Sequence, residues 1–205
     1  PISSFLLTRG VGIAALTAGV LLVLASGQRS AAAFFSLSAP TAIFQLEQGK
    51  KLEAQHLAQV EEDVKYALTY GVNRAELNSQ LSYISLRRLL MEDRNTAMHE
   101  EFVEALESVE TALKRRPLDA YLWTRYTHLS YLLDGLSPYT LAALDKSFVY
   151  GSKFGASDSS LWGHILADLP DDAKERLLAF LSPTSADIER AQRIERSLRL
   201  KREAY

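Results

Sequence analysis

The side chains that could do chemistry are few and far apart in this sequence. Its four histidines, His56, His99, His128 and His164, lack the i, i+4 spacing that aims two imidazoles at one metal ion from a single helix face. "MHEEF", Met98 to Phe102, begins like a zinc-protease helix and has no second histidine. Each histidine therefore reads as a helix-surface or groove residue. "GSKFGAS", Gly151 to Ser157, joins glycines to a lysine without a Gly-Lys-Ser/Thr ending or a preceding strand, so it reads as a loop and not as a phosphate cradle. Carboxylates at Glu61, Glu62 and Asp63, and again at Asp168, Asp171 and Asp172, could pair as acid and base. Helix surfaces and helix N-termini account for them without catalysis. There is no cysteine, which excludes disulfides, thiolate catalysis and cysteine-bound metal. The expectation is a protein that is not an enzyme, with no catalytic residue, no metal and no cofactor.

One group looks suited to binding instead. Tyr121, Arg125, His128 and Leu132 recur at helical spacing on one face, opposite Trp123, Tyr126 and Ser130. Rings supply contact area and the guanidinium a bidentate donor, so this face suits a peptide carboxylate or a polysaccharide. The competing reading packs Tyr121 and Tyr131 into the core and leaves Arg125 in solvent.

The elements that must position such a face begin with "RGVGIAALTAGVLLVLASGQR", Arg9 to Arg29, which has no charge between its arginines. As a helix, Gly10 to Gln28 spans roughly 28 Å, close to the ~30 Å hydrocarbon core of a bilayer. A secretory signal would need a shorter apolar region and a clear small-x-small cleavage site, which "LASGQ" offers only loosely at Ala25. A buried soluble helix would show a polar face, and only Thr17 and Ser26 interrupt the run. We read the stretch as an uncleaved membrane anchor. Gly10, Ala14 and Ala18, with Ala15 and Gly19 beside them, form a stripe along which another transmembrane helix could approach closely; the alternative is that glycine and alanine are simply common in such helices. Phe34, Phe35 and Leu37 extend the anchor or lie at the interface, and Pro40 ends it. Arg9 before the span is nearly balanced by Arg29 after it, so the short leader is what favours a translocated body.

The rest follows helical spacing, with no sustained strand alternation. Leu52, His56 or Leu57, Val60, Val64 and Leu68 make one stripe before Gly71; Asn73 then offers an N-cap for Leu77, Leu81, Ile84, Leu86 and Leu89. A third helix, capped by Asn95 or Thr96, runs through Phe102, Leu106, Val109 and Leu113 to Lys114, Arg115 and Arg116, and Pro117 ends it. Further helices are expected at about 119–134, 138–150, 158–168 and 171–182, and a last one from Ser185. The predicted class is all-α: a single transmembrane helix followed by stacked antiparallel helix pairs. Its divisions are a leader at 1–9, an anchor at 10–37, a linker at 38–50, a helical domain at 51–182 and a charged amphipathic helix at 183–205. That last stretch places Ile188, Ala191, Ile194 and Leu198 on a narrow stripe, as in a solvated cap, a coiled-coil contact or a strip touching acidic headgroups.

"VEALESVETALKRRPLDAYLW", Val103 to Trp123, carries a family resemblance. Ala105, Ala112 and Pro117 fall at the small-small-proline spacing of the second helix in a tetratricopeptide repeat, and Trp123 sits where the next repeat has its first large residue. Over residues 95–150 the chain resembles that family in degenerate form; no proline closes the second unit. The resemblance implies a short solenoid in which Ala105 and Ala112 lie against a neighbouring helix, Trp123 is largely buried between helix pairs, and the Tyr121–Leu132 face is open to a ligand. It also implies kinship with membrane-anchored accessory proteins of bacterial envelope machines.

The chain has 205 residues, 47% hydrophobic and 23% charged, with a formal net charge of −2. That is enough for one compact domain beyond the anchor and too neutral for a general nucleic-acid surface. The expected role is a scaffold or assembly factor at the bacterial inner membrane, with its body in the periplasm and protein partners that include another transmembrane helix. The alternative is a constitutive accessory subunit of a respiratory, photosynthetic or secretion complex.

Overall fold

The computed structural model describes residues 2–91, 98–150, 159–171 and 173–174, with the side chains of 2–15, 25, 98 and 159–161 outside that set. Among the described residues the regular elements are all α-helices. Helix α1 runs Ile2–Phe35, α2 Ser38–Glu47, α3 Ala54–Leu68, α4 Arg74–Leu89, α5 Met98–Leu113, α6 Ala120–Asp134, α7 Pro138–Val149 and α8 Ser159–Asp168. From α3 to α7 each helix packs on the next; α2 lies against α3 and α4, and the end of α1 lies against α3.

Local chemistry sets most boundaries. Gly71 and Gly135 take positive φ where α3 and α6 have ended, a conformation that favours glycine. The Asp119 carboxylate accepts from the amides of Tyr121 and Leu122 at 3.0 and 3.3 Å, capping α6. Ser137 caps α7 by accepting from Thr140 N–H, and Pro138 follows at the first helical position. Asn73 stands where a cap is expected, but its backbone is left-handed and its side chain makes no cap bond.

Two expected divisions change. Helix α1 begins at Ile2, so residues 1–9 are not a separate leader from that point on: Phe5, Leu6 and Leu7 continue the apolar helix without a breaker. Residues 38–50 are not a linker, because α2 occupies Ser38–Glu47. Pro40 falls in its first turn, where the missing N–H would have had no helical acceptor. Ala39, Ala42 and Leu46 are buried on the α3–α4 core, and Ser38 Oγ donates to Asp63 at 3.1 Å. The helix expected at 171–182 is described only at 171 and 173–174, with Lys174 N–H donating to Pro170 O. Asn95, Thr96 and the stretch 183–205 lie outside the described residues.

The core is centred on α4, whose residues from Leu81 to Leu89 are all buried. Leu57, Val60, Val64 and Ala67 of α3 close one side; Phe102, Ala105, Val109 and Ala112 of α5 close another. Two polar groups on α4 find partners within the body: Asn78 donates to Arg74 O at 2.7 Å, and Arg88 pairs with Glu61 at 2.8 Å and Glu101 at 3.1 Å. Lys65 adds contacts to Glu61 at 3.1 Å and Glu104 at 3.2 Å, so one charge network ties α3, α4 and α5. Burial pushes the Glu61 carboxyl up, but hydrogen bonds and charge from Arg88 and then Lys65 outweigh it and hold the group below the usual carboxylate range.

Among the described residues, one helix, Leu16–Glu47 taken through the Ser36–Leu37 turn, is long and apolar enough to cross a membrane. Leu16 and Val20 to Leu24 are 50–71% exposed, so the body does not cover them.

Candidate partner-binding groove

The face expected to be open is largely closed. Arg125 donates to the Ser79 carbonyl and, at 3.2 and 3.1 Å, to the hydroxyls of Ser79 and Ser82, with its guanidinium 5.0 Å from the Tyr83 ring centre. It is a tie between α6 and α4. His128 is 1% exposed and meets Trp162 of α8 edge-on, with ring centres 4.4 Å apart. Leu132 is half-buried and packs on the same core. Only Tyr121 points out, at 58% exposure. The four share a face of α6, as their spacing requires, but α4 and α8 cover three of them. Helical periodicity gives no information about covering by distant segments.

The opposite side is the open one. Ala105 and Ala112 are buried against neighbouring helices, and Pro117 stands in the α5–α6 turn. Trp123 is half-buried, not sealed between helix pairs; its Nε1–H donates to Pro117 O at 2.7 Å, which fixes the indole across the mouth of the turn. A cavity of about 420 Å³ opens there between α5, α6 and α7. Its floor is Leu113, Ala143 and the rings of Trp123 and Tyr126, whose centres lie 6.0 Å apart. Tyr139 flanks it at 74% exposure, with Ala142 beside it.

The groove's charge is uneven. Lys146 holds its ammonium 4.1 Å from the centre of the Trp123 ring, and Lys114 stands on the α5 rim; neither has a carboxylate partner among the described residues. Glu110 is the one carboxylate in the lining. Burial, with Glu110 charge next, pushes the Tyr126 hydroxyl above the ordinary tyrosine value. An apolar floor rimmed by two lysines and one carboxylate has a cation to spare, and can hold an apolar or aromatic side chain beside a carboxylate. Sequence reasoning placed Trp123 and Tyr126 on the packed side. The signal it passed over was Lys146, seven residues beyond Tyr139 on the outward face of α7.

Of the other expected sites, His56, His99 and His164 are exposed and scattered, and no group of three or more His, Asp or Glu able to hold a metal occurs among the described residues. Gly10, Ala14 and Ala15 lie outside the described side chains. Ala18 and Gly19 are exposed, and a Cβ at Gly19 would meet nothing within 4 Å, so this stretch of α1 has no partner among the described residues. Comparison with protein-family models, curated proteins and solved structures finds no match.

Proposed function

We propose that this protein is a membrane-anchored helical scaffold, which presents the α5–α6–α7 groove to a partner protein at a set position above the bilayer. The observation that carries the reading is the groove itself: an open aromatic floor with Lys114 and Lys146 on its rim, neither in an ion pair among the described residues. The partner segment this suits is a helix or loop that carries a large apolar anchor next to a carboxylate. Buried Ala105, Ala112, Thr127, Ala143 and Ser147 support reading α5 to α7 as a degenerate tetratricopeptide-like unit. The location that fits best is the bacterial inner membrane with the body in the periplasm, in service of an envelope assembly. The reading as a constitutive subunit of an integral complex is favoured by one observation, the exposed notch at Gly19 on α1.

Affinity purification of the full chain from native membranes tests the scaffold reading. Lys146→Glu should strip a defined partner while the chain stays folded and membrane-bound. Retention of every partner by Lys146→Glu and by Trp123→Ala would refute it.

A further inference from the structure

We propose that the end of the body nearest α1 is a lipid-seating surface, on which an aromatic collar lies at headgroup level and two arginines meet anionic headgroups. This rests on the membrane reading of α1 and goes beyond it: the anchor becomes a stand that fixes the body upright, not a tether.

The collar is built where α1 enters the body. Ala32 is fully buried, and from there α1 lies against α3. Phe35 meets Tyr66 edge-on at 4.5 Å and stacks on Tyr70 at 6.0 Å, while Phe34 is edge-on to Phe35 at 5.5 Å. Phe34, Leu37 and Tyr66 turn outward, at 68%, 64% and 51% exposure. Large apolar side chains this exposed around the root of an apolar helix are costly in water and favourable in an interface, where tyrosine keeps its hydroxyl wet and its ring dry.

Charge points to the same occupant. The two stretches that form this end, residues 29–37 and 66–74, contain no carboxylate, and their only charges are Arg29 and Arg74, both exposed. Exposed charge elsewhere is mixed, with Glu62, Glu100 and Glu107 against Lys50, Lys51, Arg115 and Lys146. An anionic lipid surface attracts an end whose stretches carry arginines and no carboxylate. The dimensions agree. Phe34 stands about 8 Å along the helix from Arg29, comparable to a headgroup layer of roughly 5–8 Å. The apolar flank of α1 runs into the collar without a polar break wider than residues 26–30, so lipid covering the one continues onto the other. Phe44 follows on α2, which lies against α3 and α4 of the body, and should stand in water.

The chain has no cysteine, so single nitroxide labels can be placed at will. Leu22→Cys, Phe34→Cys, Phe44→Cys and Tyr66→Cys of the full chain, reconstituted in vesicles of phosphatidylcholine and phosphatidylglycerol, are read by collision with oxygen, which concentrates in lipid, and with a water-soluble nickel chelate. The expected result is a deep lipid signal at 22, a shallow lipid signal at 34 and 66, and an aqueous signal at 44. Arg74→Glu should raise nickel collision at 66 several-fold, and only when phosphatidylglycerol is present. Aqueous signals at 34 and 66 with lipid at 22 overturn the seat and leave the anchor standing. Water at 22 overturns the anchor reading itself. Protection from both reagents at 34 and 66 means that protein covers this end, and overturns the lipid assignment.

Discussion

Arg125→Ala is expected to destabilise the body by about 2–4 kcal/mol, whereas Tyr121→Ala, one turn away on the same helix, should change stability by no more than about 0.5 kcal/mol. The larger figure follows from the contacts Arg125 makes on α4: hydrogen bonds to the Ser79 carbonyl and the Ser79 and Ser82 hydroxyls, and a guanidinium set over Tyr83. The side chain is half-buried, so water competes for its donors. We therefore count one charged hydrogen bond at about 1.5–3 kcal/mol and one cation–π contact at about 0.5–1 kcal/mol, not the sum of every contact. Against a domain stability of ~5–15 kcal/mol that is a large fraction. Urea unfolding of the full chain in mild detergent, followed by circular dichroism, measures it. Arg125→Lys should fall between wild type and alanine, because an ammonium keeps the charge but not the fork. A Ser79→Ala, Ser82→Ala background should shrink the Arg125→Ala effect, since the partners would already be gone. Equal midpoints for Arg125→Ala and Tyr121→Ala would refute the tie, and the face would have to be open.

Three further outcomes are expected. Trp162→Ala should cost about 3–5 kcal/mol, because it empties a fully buried site beneath His128, and Ala112→Leu about 1–3 kcal/mol by overpacking the α5 crossing; thermal unfolding orders the two. Arg88→Ala should cost about 3–5 kcal/mol by leaving Glu61 buried without its guanidinium, which the same urea titration reads. The Glu61 carboxyl is held below its ordinary 4.5, so in acid the unfolded chain takes up its proton first: the contribution is whole above that value and disappears as pH falls through the lower, folded one. Stability measured from pH 7 downward should therefore fall in the acid limb, and Glu61→Gln should flatten that limb; an unchanged slope would exclude Glu61 as its source.

The helices were legible in the sequence because their signals are local. Gly71, Asp119, Gly135 and Ser137-Pro138 act within a turn of where they stand, and the stripes of α3, α4 and α5 put the right side chains inside. What could not be read was covering by segments far along the chain. Arg125 has the pattern of a solvated or ligand-facing residue, and only the approach of Ser79 and Ser82, more than forty positions away, makes it a tie. Arg88 likewise reads as surface charge until Glu61 is brought to 2.8 Å. Helix α2 is hidden in the sequence because Pro40 reads as a stop, although a proline in a first turn removes no helical hydrogen bond. The groove is hidden for the same reason: aromatic Trp123 and Tyr126 read as core, yet both are half-buried and border a gap lined by Ala142, Ala143 and Lys146.

The groove is best probed with a photoreactive phenylalanine analogue at position 139, on its flank, set against the same analogue at position 121, the exposed residue on the Arg125 face of α6. In native membranes under illumination, position 139 is expected to cross-link one protein of defined mass, and Lys146→Glu in the same chain should abolish the adduct, while position 121 yields none. An adduct at 121 and none at 139, or an adduct at 139 indifferent to Lys146→Glu, would contradict the assignment of the α5–α6–α7 groove as the partner site.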